Sequence, residues 1–189
     1  MSRSTERILD EYLVASAKSG DRRAFGLLAR RWEKKLIAHA WRLTGDVEGA
    51  RDAAQEGWLE IVRGIARLDD ERAFPSWAFR IVSRRCARQI GAAVRRRELA
   101  DAASADPAVT VGEAPGCGLE HERLRAAVRG LPRDQRAAVA LFHFDEMSVA
   151  EVAVALDVPV GTVKTRLMHA RRKLRATLEG EEWCEILTS

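Results

Sequence analysis

The sequence predicts an all-α protein made of two small helical domains joined by a flexible linker. Ala, Leu, Arg and Glu dominate the 189 residues, and apolar residues recur every three or four positions, the period of a helix packed on one side. Alternating β-branched runs, which are typical of strands, are few. Residues 99–118 lack any period and are rich in Ala, Gly, Pro and Asp, so they separate two helical blocks.

This pattern divides the chain into five segments. The predicted order is a lead-in helix over residues 1–20, a first helical block over 21–98, the linker over 99–118, a second helical block over 119–178, and a tail over 179–189 that is acidic but carries Trp183, Ile186 and Leu187.

Three helices are predicted in the first block, each from an apolar stripe. A polar break at residues 44–46 separates the first two, and Pro75 suits the first turn of the third. The stripes are, in order, Phe25, Leu28, Ala29, Trp32 and Leu36; then Ala54, Trp58, Ile61 and Ile65; then Phe79, Val82, Cys86 and Ile90. On its stripe, Cys86 is expected to be a small buried hydrophobe rather than a reactive thiol.

Charge reverses sharply between the second and third of these helices. Residues 46–71 carry eight acids and three Arg, whereas residues 72–97 carry eight Arg and no acid. Neighbouring surfaces of opposite sign predict two partners of opposite charge. The outward side of the acidic helix holds Leu59 among polar groups, which fits either a contact for a basic protein or an ordinary exposed leucine; its other members are Asp52, Gln55, Glu56, Glu60 and Arg63.

The outward side of the third helix combines an aromatic ring with cations. Trp77, Ile81, Arg84 and Arg88 lie nearly opposite its apolar stripe, and Arg95 to Arg97 extend the positive track. Cations that follow a backbone beside a ring that stacks on bases are typical of single-stranded nucleic-acid binding. The alternative is that Trp77 closes the edge of a small core while the Arg side chains are solvated.

The second block ends in a predicted helix-turn-helix. Pro132 restarts a helix through Val139 and Phe142; a short helix then carries Val152 and Leu156, residues 157–161 break it, and Val163, Leu167, Ala170 and Leu174 form the stripe of a second helix. Thr165, Met168, His169 and Arg172 lie opposite that stripe, with Lys164 at the edge and Arg166, Arg171 and Lys173 on the flanks.

This arrangement is typical of a helix that reads the major groove. The alternative is a solvated basic face, but residues 158–178 hold six Lys and Arg and no acid, which favours DNA.

Other classes of protein fit the sequence poorly. No apolar run approaches a bilayer span and the first residues lack a secretory signal, so a cytoplasmic protein without membrane insertion is expected. Three scattered cysteines argue against a disulfide framework. Asp69, Asp70 and Glu71 diverge as consecutive side chains, and the pair Cys117 and His121 lacks a second half for a zinc site. Neither an enzyme, a metal site nor a cofactor is expected.

The chain resembles a bacterial sigma factor of the extracytoplasmic-function (ECF) class. Four segments occur in the family's order, and the resemblance covers nearly all of residues 21–178. RDAAQEGWLEIVRGI is similar to the polymerase-binding helix of sigma region 2, FPSWAFRIVSRRCAR to the helix that melts and reads the −10 element, LPRDQRAAVALF to the start of region 4, and SVAEVAVALDVPVGTVKTRLMHARRKLR to its −35-binding helix-turn-helix.

The resemblance implies partners and roles for individual residues. The partners are the RNA polymerase core, through the β′ clamp helices and the β flap, promoter DNA, and an anti-sigma factor, with the linker passing through polymerase channels. The implied polymerase contacts are Asp52, Gln55, Glu56 and Leu59; the −10 contacts are Phe74, Trp77, Arg80, Arg84 and Arg88; the −35 contacts are Lys164, Thr165, Arg166, Met168, His169, Arg171 and Arg172.

The expected function is therefore promoter recognition and melting for transcription initiation, in a stress or signal response under anti-sigma control. The alternative is a stand-alone helix-turn-helix regulator.

The chain departs from the family pattern at Arg84, where Asn is common, and at Asp157, where Gly is common. Asp tolerates the left-handed conformation that this turn needs. The acidic tail is expected either to continue the last helix or lack order, or to fold back on the cationic helix and reduce DNA binding.

Overall fold

The computed structural model describes residues 3–100 and 119–187, with side chains described over 5–96, 123–124 and 126–178. All regular structure in those ranges is helical, which confirms the fold class, and it forms two compact units. The first unit is built around α1 (Arg3–Lys18), α2 (Arg22–Thr44), α3 (Val47–Gly64) and α4 (Phe74–Ala100). The second is built around α5 (Leu119–Arg129), α6 (Arg133–Val139), residues 149–153 of α7 (Val149–Leu156) and α8 (Val160–Leu187).

The predicted linker and tail are only partly covered. Helix α4 runs through Ala100, two residues into the predicted linker, and residues 101–118 lie outside the described residues. The backbone of residues 179–187 continues α8, which matches the simpler alternative for the tail. The side chains of Trp183, Ile186 and Leu187 lie outside the described part, and so does any contact they make.

Short polar side chains set the ends of α2 and α3. Asp21 caps α2 by accepting hydrogen bonds from the backbone N–H groups of Arg23 and Ala24, at 2.8 and 3.1 Å. Gly45 ends α2 in the left-handed conformation with φ 75°, and Asp46 then caps α3 through the Gly49 N–H at 2.6 Å. The predicted break at residues 44–46 is therefore confirmed.

The core of the first unit is centred on aromatic rings of α2 and α4. Trp32 packs edge-on against Phe74 and Phe79, with ring centroids 5.3 and 5.7 Å apart. His39 is fully buried beside Phe79, and its Nε2 lies 2.8 Å from Ser83 Oγ. Burial, and secondarily the charge of Arg42, lowers the pKa of His39 to about 3.

Helix α4 packs closely against α3 and buries a cysteine. A Cβ atom on Gly57 of α3 would come within 2.8 Å of Val82 Cγ2, so the missing side chain permits a close α3–α4 approach. Cys86 is completely buried, as predicted, and burial raises the pKa of its thiol to about 12. A thiol with that pKa holds almost no thiolate at neutral pH and is chemically inert.

The lead-in helix α1 is tied to the bundle by ion pairs. Asp10 accepts from Arg31 Nε of α2 at 2.7 Å, and Lys18 Nζ lies 2.6 Å from Glu71 Oε1 in the 3₁₀ turn Glu71–Ala73. The hydrogen bond from Lys18 holds the pKa of Glu71 below its usual range.

A reciprocal cap and a left-handed residue define the helix-turn-helix. The N–H of Ser148 donates to Glu151 Oε2 at 2.7 Å while the Glu151 N–H donates to Ser148 Oγ at 3.2 Å, a capping box that starts α7. Asp157 adopts φ 56°, as its tolerance of the left-handed region predicts. The N–H groups of Asp157 and Val158 donate to the carbonyls of Val154 and Ala153, so a Schellman motif ends the helix.

One element of the second unit, a π-helical turn, is not predicted from periodicity. Helix α6 begins just after Pro132, as expected, but then widens into a π-helical turn over Ala140–Phe144 before α7.

Candidate nucleic-acid interface

The exposed side of α4 carries cations over a buried apolar stripe. Phe79, Val82 and Cys86 are buried, which confirms the predicted inward side, and Ile90 is half-buried. We call Trp77, Arg80, Arg84 and Arg88 the α4 surface. Arg84 and Arg88 are exposed and Arg80 is half-buried.

Trp77 is half-buried, with one side of its ring supported by the bundle. Its ring centroid lies 6.2 Å from that of Phe74, and a Cβ atom on Gly64 would come within 2.9 Å of its Cζ2 atom. The indole is thus held in place by Phe74 and the bare backbone at Gly64. This geometry leaves part of an oriented aromatic ring open to solvent beside cations.

Two residues expected at this surface are buried: Phe74, a −10 contact implied by the resemblance, and Ile81, predicted opposite the apolar stripe. Phe74 is 0% exposed because its ring packs against those of Trp32 and Trp77, so in this structure its side chain offers no surface to a −10 strand. Ile81 is also buried, because α3 covers this side of α4. Helix α4 is covered on two sides, which a single apolar stripe does not indicate.

The exposed side of α3 carries the predicted protein-contact residues. Asp52, Gln55, Glu56 and Leu59, here called the α3 surface, are all exposed. Leu59 is 53% exposed, and Val62 extends the apolar area at 54%.

Sequence reasoning missed the partner of two acids on α3. Arg85 of α4 donates to Glu60 Oε2 at 2.6 Å and to Glu56 Oε2 at 3.1 Å, so it neutralises part of the acidic face. These hydrogen bonds, with that to Glu60 the strongest cause, raise the pKa of Arg85. The reversal of charge between residues 46–71 and 72–97 is the signal that such a pairing is available.

The stripe of α8 is buried as predicted and its opposite side is open. Val163, Leu167 and Ala170 are buried, while Met168 is 58% exposed. Thr165 hydrogen-bonds back to the Gly161 carbonyl at 3.0 Å. We call the following residues the α8 surface: Lys164, Thr165, Met168, Arg171 and Arg172, which are exposed, and His169, which is half-buried with its Nδ1 atom 3.3 Å from Arg172 Nη2.

Arg166 does not share that exposure. Its side chain is 22% exposed, and its Nη2 atom lies 2.7 Å from Asp134 Oδ2 of α6. The structure therefore places Arg166 on the flank of α8 that packs towards α6, apart from the other predicted −35 contacts.

The residues considered for metal or catalytic chemistry have other roles where they are described. Asp70 caps the 3₁₀ turn through the Arg72 N–H at 2.9 Å, and Glu71 pairs with Lys18. Over the described residues, no group of three His, Cys, Asp or Glu side chains is placed to hold a metal ion. Cys117 and the side chain of His121 lie outside the described part. Within that part of the chain, no helix is both long and apolar enough to cross a membrane.

Comparison with known proteins places both units in one family. The model of sigma-70 region 2 matches residues 28–97 and that of sigma-70 region 4 matches residues 121–174. The RNA polymerase sigma-H factor of Pseudomonas aeruginosa is 29% identical over 90% of this chain and 94% of its own length. The ECF RNA polymerase sigma-E factor of Escherichia coli K12 is 30% identical, again over 90% of this chain and 94% of its own length.

Solved structures show the same fold. The sigma factor RpoE of Bartonella quintana, solved in complex with the anti-sigma factor NepR, aligns with a TM-score of 0.69 at 22% identity, over 82% of this chain and 96% of that one. CnrH, solved in complex with the cytosolic domain of CnrY, aligns with a TM-score of 0.62 at 26% identity, over 91% and 98%. With helices of region 2 and region 4 in order and relatives covering almost its whole length, the chain belongs to the ECF class of the sigma-70 family of RNA polymerase sigma factors.

Proposed function

We propose that this protein binds core RNA polymerase and directs it to promoters by holding two DNA elements at once. The observation that carries the proposal is a pair of cationic surfaces on separate units of the fold, one with a supported aromatic ring and one on a helix-turn-helix. A stand-alone regulator that binds only duplex DNA needs no cationic surface with an aromatic ring for unpaired bases. The comparisons favour the sigma factor over that alternative.

The α3 surface is proposed to bind the β′ clamp helices. An exposed leucine at 53%, continued by Val62 and bordered by Asp52 and Glu56, fits a partner that offers both an apolar contact and basic groups. Arg85 contributes by holding Glu56 in one position. The β flap is a second proposed contact on polymerase.

The α4 surface is proposed to capture the opened −10 strand. The exposed part of Trp77 offers a stacking platform, and Arg84 and Arg88 supply charge along the backbone. Phe74 acts through Trp77, which it supports from the core, rather than on DNA. Opening base pairs costs a few kcal/mol, which stacking and phosphate contacts offset.

The α8 surface is proposed to bind the −35 element as a duplex. Lys164 and Thr165 lie near the start of the helix, where the major groove is reached first, and Arg171 and Arg172 meet phosphates farther along. Because these contacts release counterions, promoter binding is expected to weaken steeply as salt rises.

Polymerase gives the two surfaces their joint effect. Each surface alone makes few contacts, so free protein binds promoter DNA weakly. When polymerase fixes both units, the second contact becomes intramolecular, and its effective concentration raises the total affinity.

The proposed division of the chain remains a lead-in helix, region 2, a linker, region 4 and a tail, over residues 1–20, 21–98, 99–118, 119–178 and 179–189. The linker is proposed to follow polymerase channels.

Regulation by an anti-sigma factor is proposed from the relatives. Two proteins with this fold were solved with partners, the anti-sigma factor NepR and the cytosolic domain of CnrY. A cytoplasmic location and a role in initiation rather than in an enzymatic reaction follow from the same proposal.

Transcription with purified components tests the function. Core polymerase from a related bacterium, given this protein and a library of genomic promoter fragments, is expected to yield discrete transcripts that vanish with Trp77→Ala/Arg172→Gln. A stand-alone regulator starts no transcription with core polymerase, so the absence of transcripts with folded wild-type protein would contradict the proposal.

A further inference from the structure

Arg166 differs from the other cations of α8 in its position around the helix. Each residue turns a helix by about 100°, so Arg166 lies roughly 60° from Val163 and 40° from Ala170, both of which are buried. Arg172, by the same count, lies about 180° from Val163. Arg166 therefore leaves the helix on its inward half, which explains why its side chain is only 22% exposed.

Asp134 is well suited to hold that guanidinium. It lies in the first turn of α6, where the helix dipole stabilises a negative charge. Its Oδ2 atom accepts a hydrogen bond from Arg166 Nη2 at 2.7 Å, and its own side chain is 64% exposed. The pair thus presents its acid, not its base, to solvent at the border of the α8 surface.

From this geometry we propose that Asp134 is a positioning residue that withholds Arg166 from DNA. The two charges cancel, so Arg166 adds no counterion release while Asp134 holds it. Removing the carboxylate frees a cation whose long side chain then turns outward to a phosphate. The inference rests on the proposed function, because it concerns the strength of −35 binding.

The salt dependence of binding measures this directly. A duplex selected from random sequence by wild-type holoenzyme is titrated with holoenzymes at several salt concentrations, and the slope of log K against log salt is compared. Asp134→Asn is expected to steepen the slope by about 0.9, the value of one phosphate contact. Asp134→Glu, which keeps the ion pair, and Asp134→Asn/Arg166→Gln, which removes both charges, are expected to retain the wild-type slope.

The other outcomes overturn the inference. A slope unchanged by Asp134→Asn means that the carboxylate withholds nothing, and a shallower slope for Asp134→Asn/Arg166→Gln than for wild type means that Arg166 already contacts phosphate. Thermal unfolding confirms that each variant is folded. Arg172→Gln serves as the reference, because loss of one phosphate contact is expected to make the slope of log K against log salt shallower by about 0.9, whatever happens at Asp134. If wild-type holoenzyme binds no duplex, the proposed function itself fails.

Discussion

The indole of Trp77 lies so close to Gly64 that a Cβ atom there would come within 2.9 Å of Cζ2 and 3.3 Å of Cη2. Gly64 has φ −103° and ψ −19°, which any residue can adopt, so the position requires glycine for space and not for backbone conformation. The end of α3 therefore sets the tilt of the aromatic ring proposed to stack on opened DNA.

Gly64→Ala is accordingly expected to displace the Trp77 ring and weaken capture of the −10 strand. Partial loss of stacking should cost roughly 0.5–1 kcal/mol, a two- to five-fold drop in binding of a single-stranded −10 oligonucleotide by holoenzyme. The matched control is Gly26→Ala in α2, where nothing lies within 4 Å of the added methyl group. Equal binding by both variants would show that the contact with Gly64 does not position Trp77.

Leu59 is expected to contribute more to polymerase binding than its exposure alone suggests. Leu59→Ala should weaken binding to core polymerase by more than about 1 kcal/mol, at least five-fold, if the residue is an anchor of that interface. Leu27→Ala is the control, since Leu27 of α2 is 47% exposed against 53% for Leu59. Fluorescence anisotropy of labelled protein checks both variants, and similar losses would contradict a specific role for the α3 surface.

His39 is expected to make the first unit sensitive to acid. Its pKa is about 3 in the folded state against 6.5 in the unfolded chain, so unfolded protein binds one more proton between those values. The contribution of neutral His39 is complete above pH 6.5 and is lost as pH falls towards 3, at roughly 1–2 kcal/mol per pH unit.

Urea unfolding at pH 7 and pH 5 measures this loss. His39→Gln, whose amide can keep a hydrogen bond to Ser83, should lose less stability between the two pH values than wild type. An equal loss in the two proteins would show that His39 is not the group responsible.

Periodicity predicts which side of each helix is buried, but not how wide the buried side is. The stripe Val163, Leu167 and Ala170 is buried as predicted, because one apolar stripe suffices for a helix that packs on one side. Phe74 and Ile81 are buried as well, since α4 is covered by α2 and α3 together. That second cover depends on the missing side chain of Gly57, whose effect appears only in three dimensions.

Charge patterns behave in the same way. The sequence indicates acidic and basic faces but not which members pair across helices, so the hydrogen bonds of Arg85 to Glu60 and of Arg166 to Asp134 were not predicted. Local rules did succeed at the turn of the helix-turn-helix, where Asp157 has φ 56°. The π-helical turn after α6 leaves no sequence signal comparable to a cap.

The claim that α4 acts on an unpaired strand while α8 acts on a duplex is tested most directly by crossing two variants with two probes. Holoenzymes with Trp77→Ala or Arg172→Gln are bound to a duplex that carries only the −35 element and to a single-stranded −10 oligonucleotide. Trp77→Ala is expected to weaken binding of the oligonucleotide only, by about 1–3 kcal/mol, and Arg172→Gln is expected to weaken binding of the duplex only. Two variants that each weaken both probes to the same extent would contradict the account.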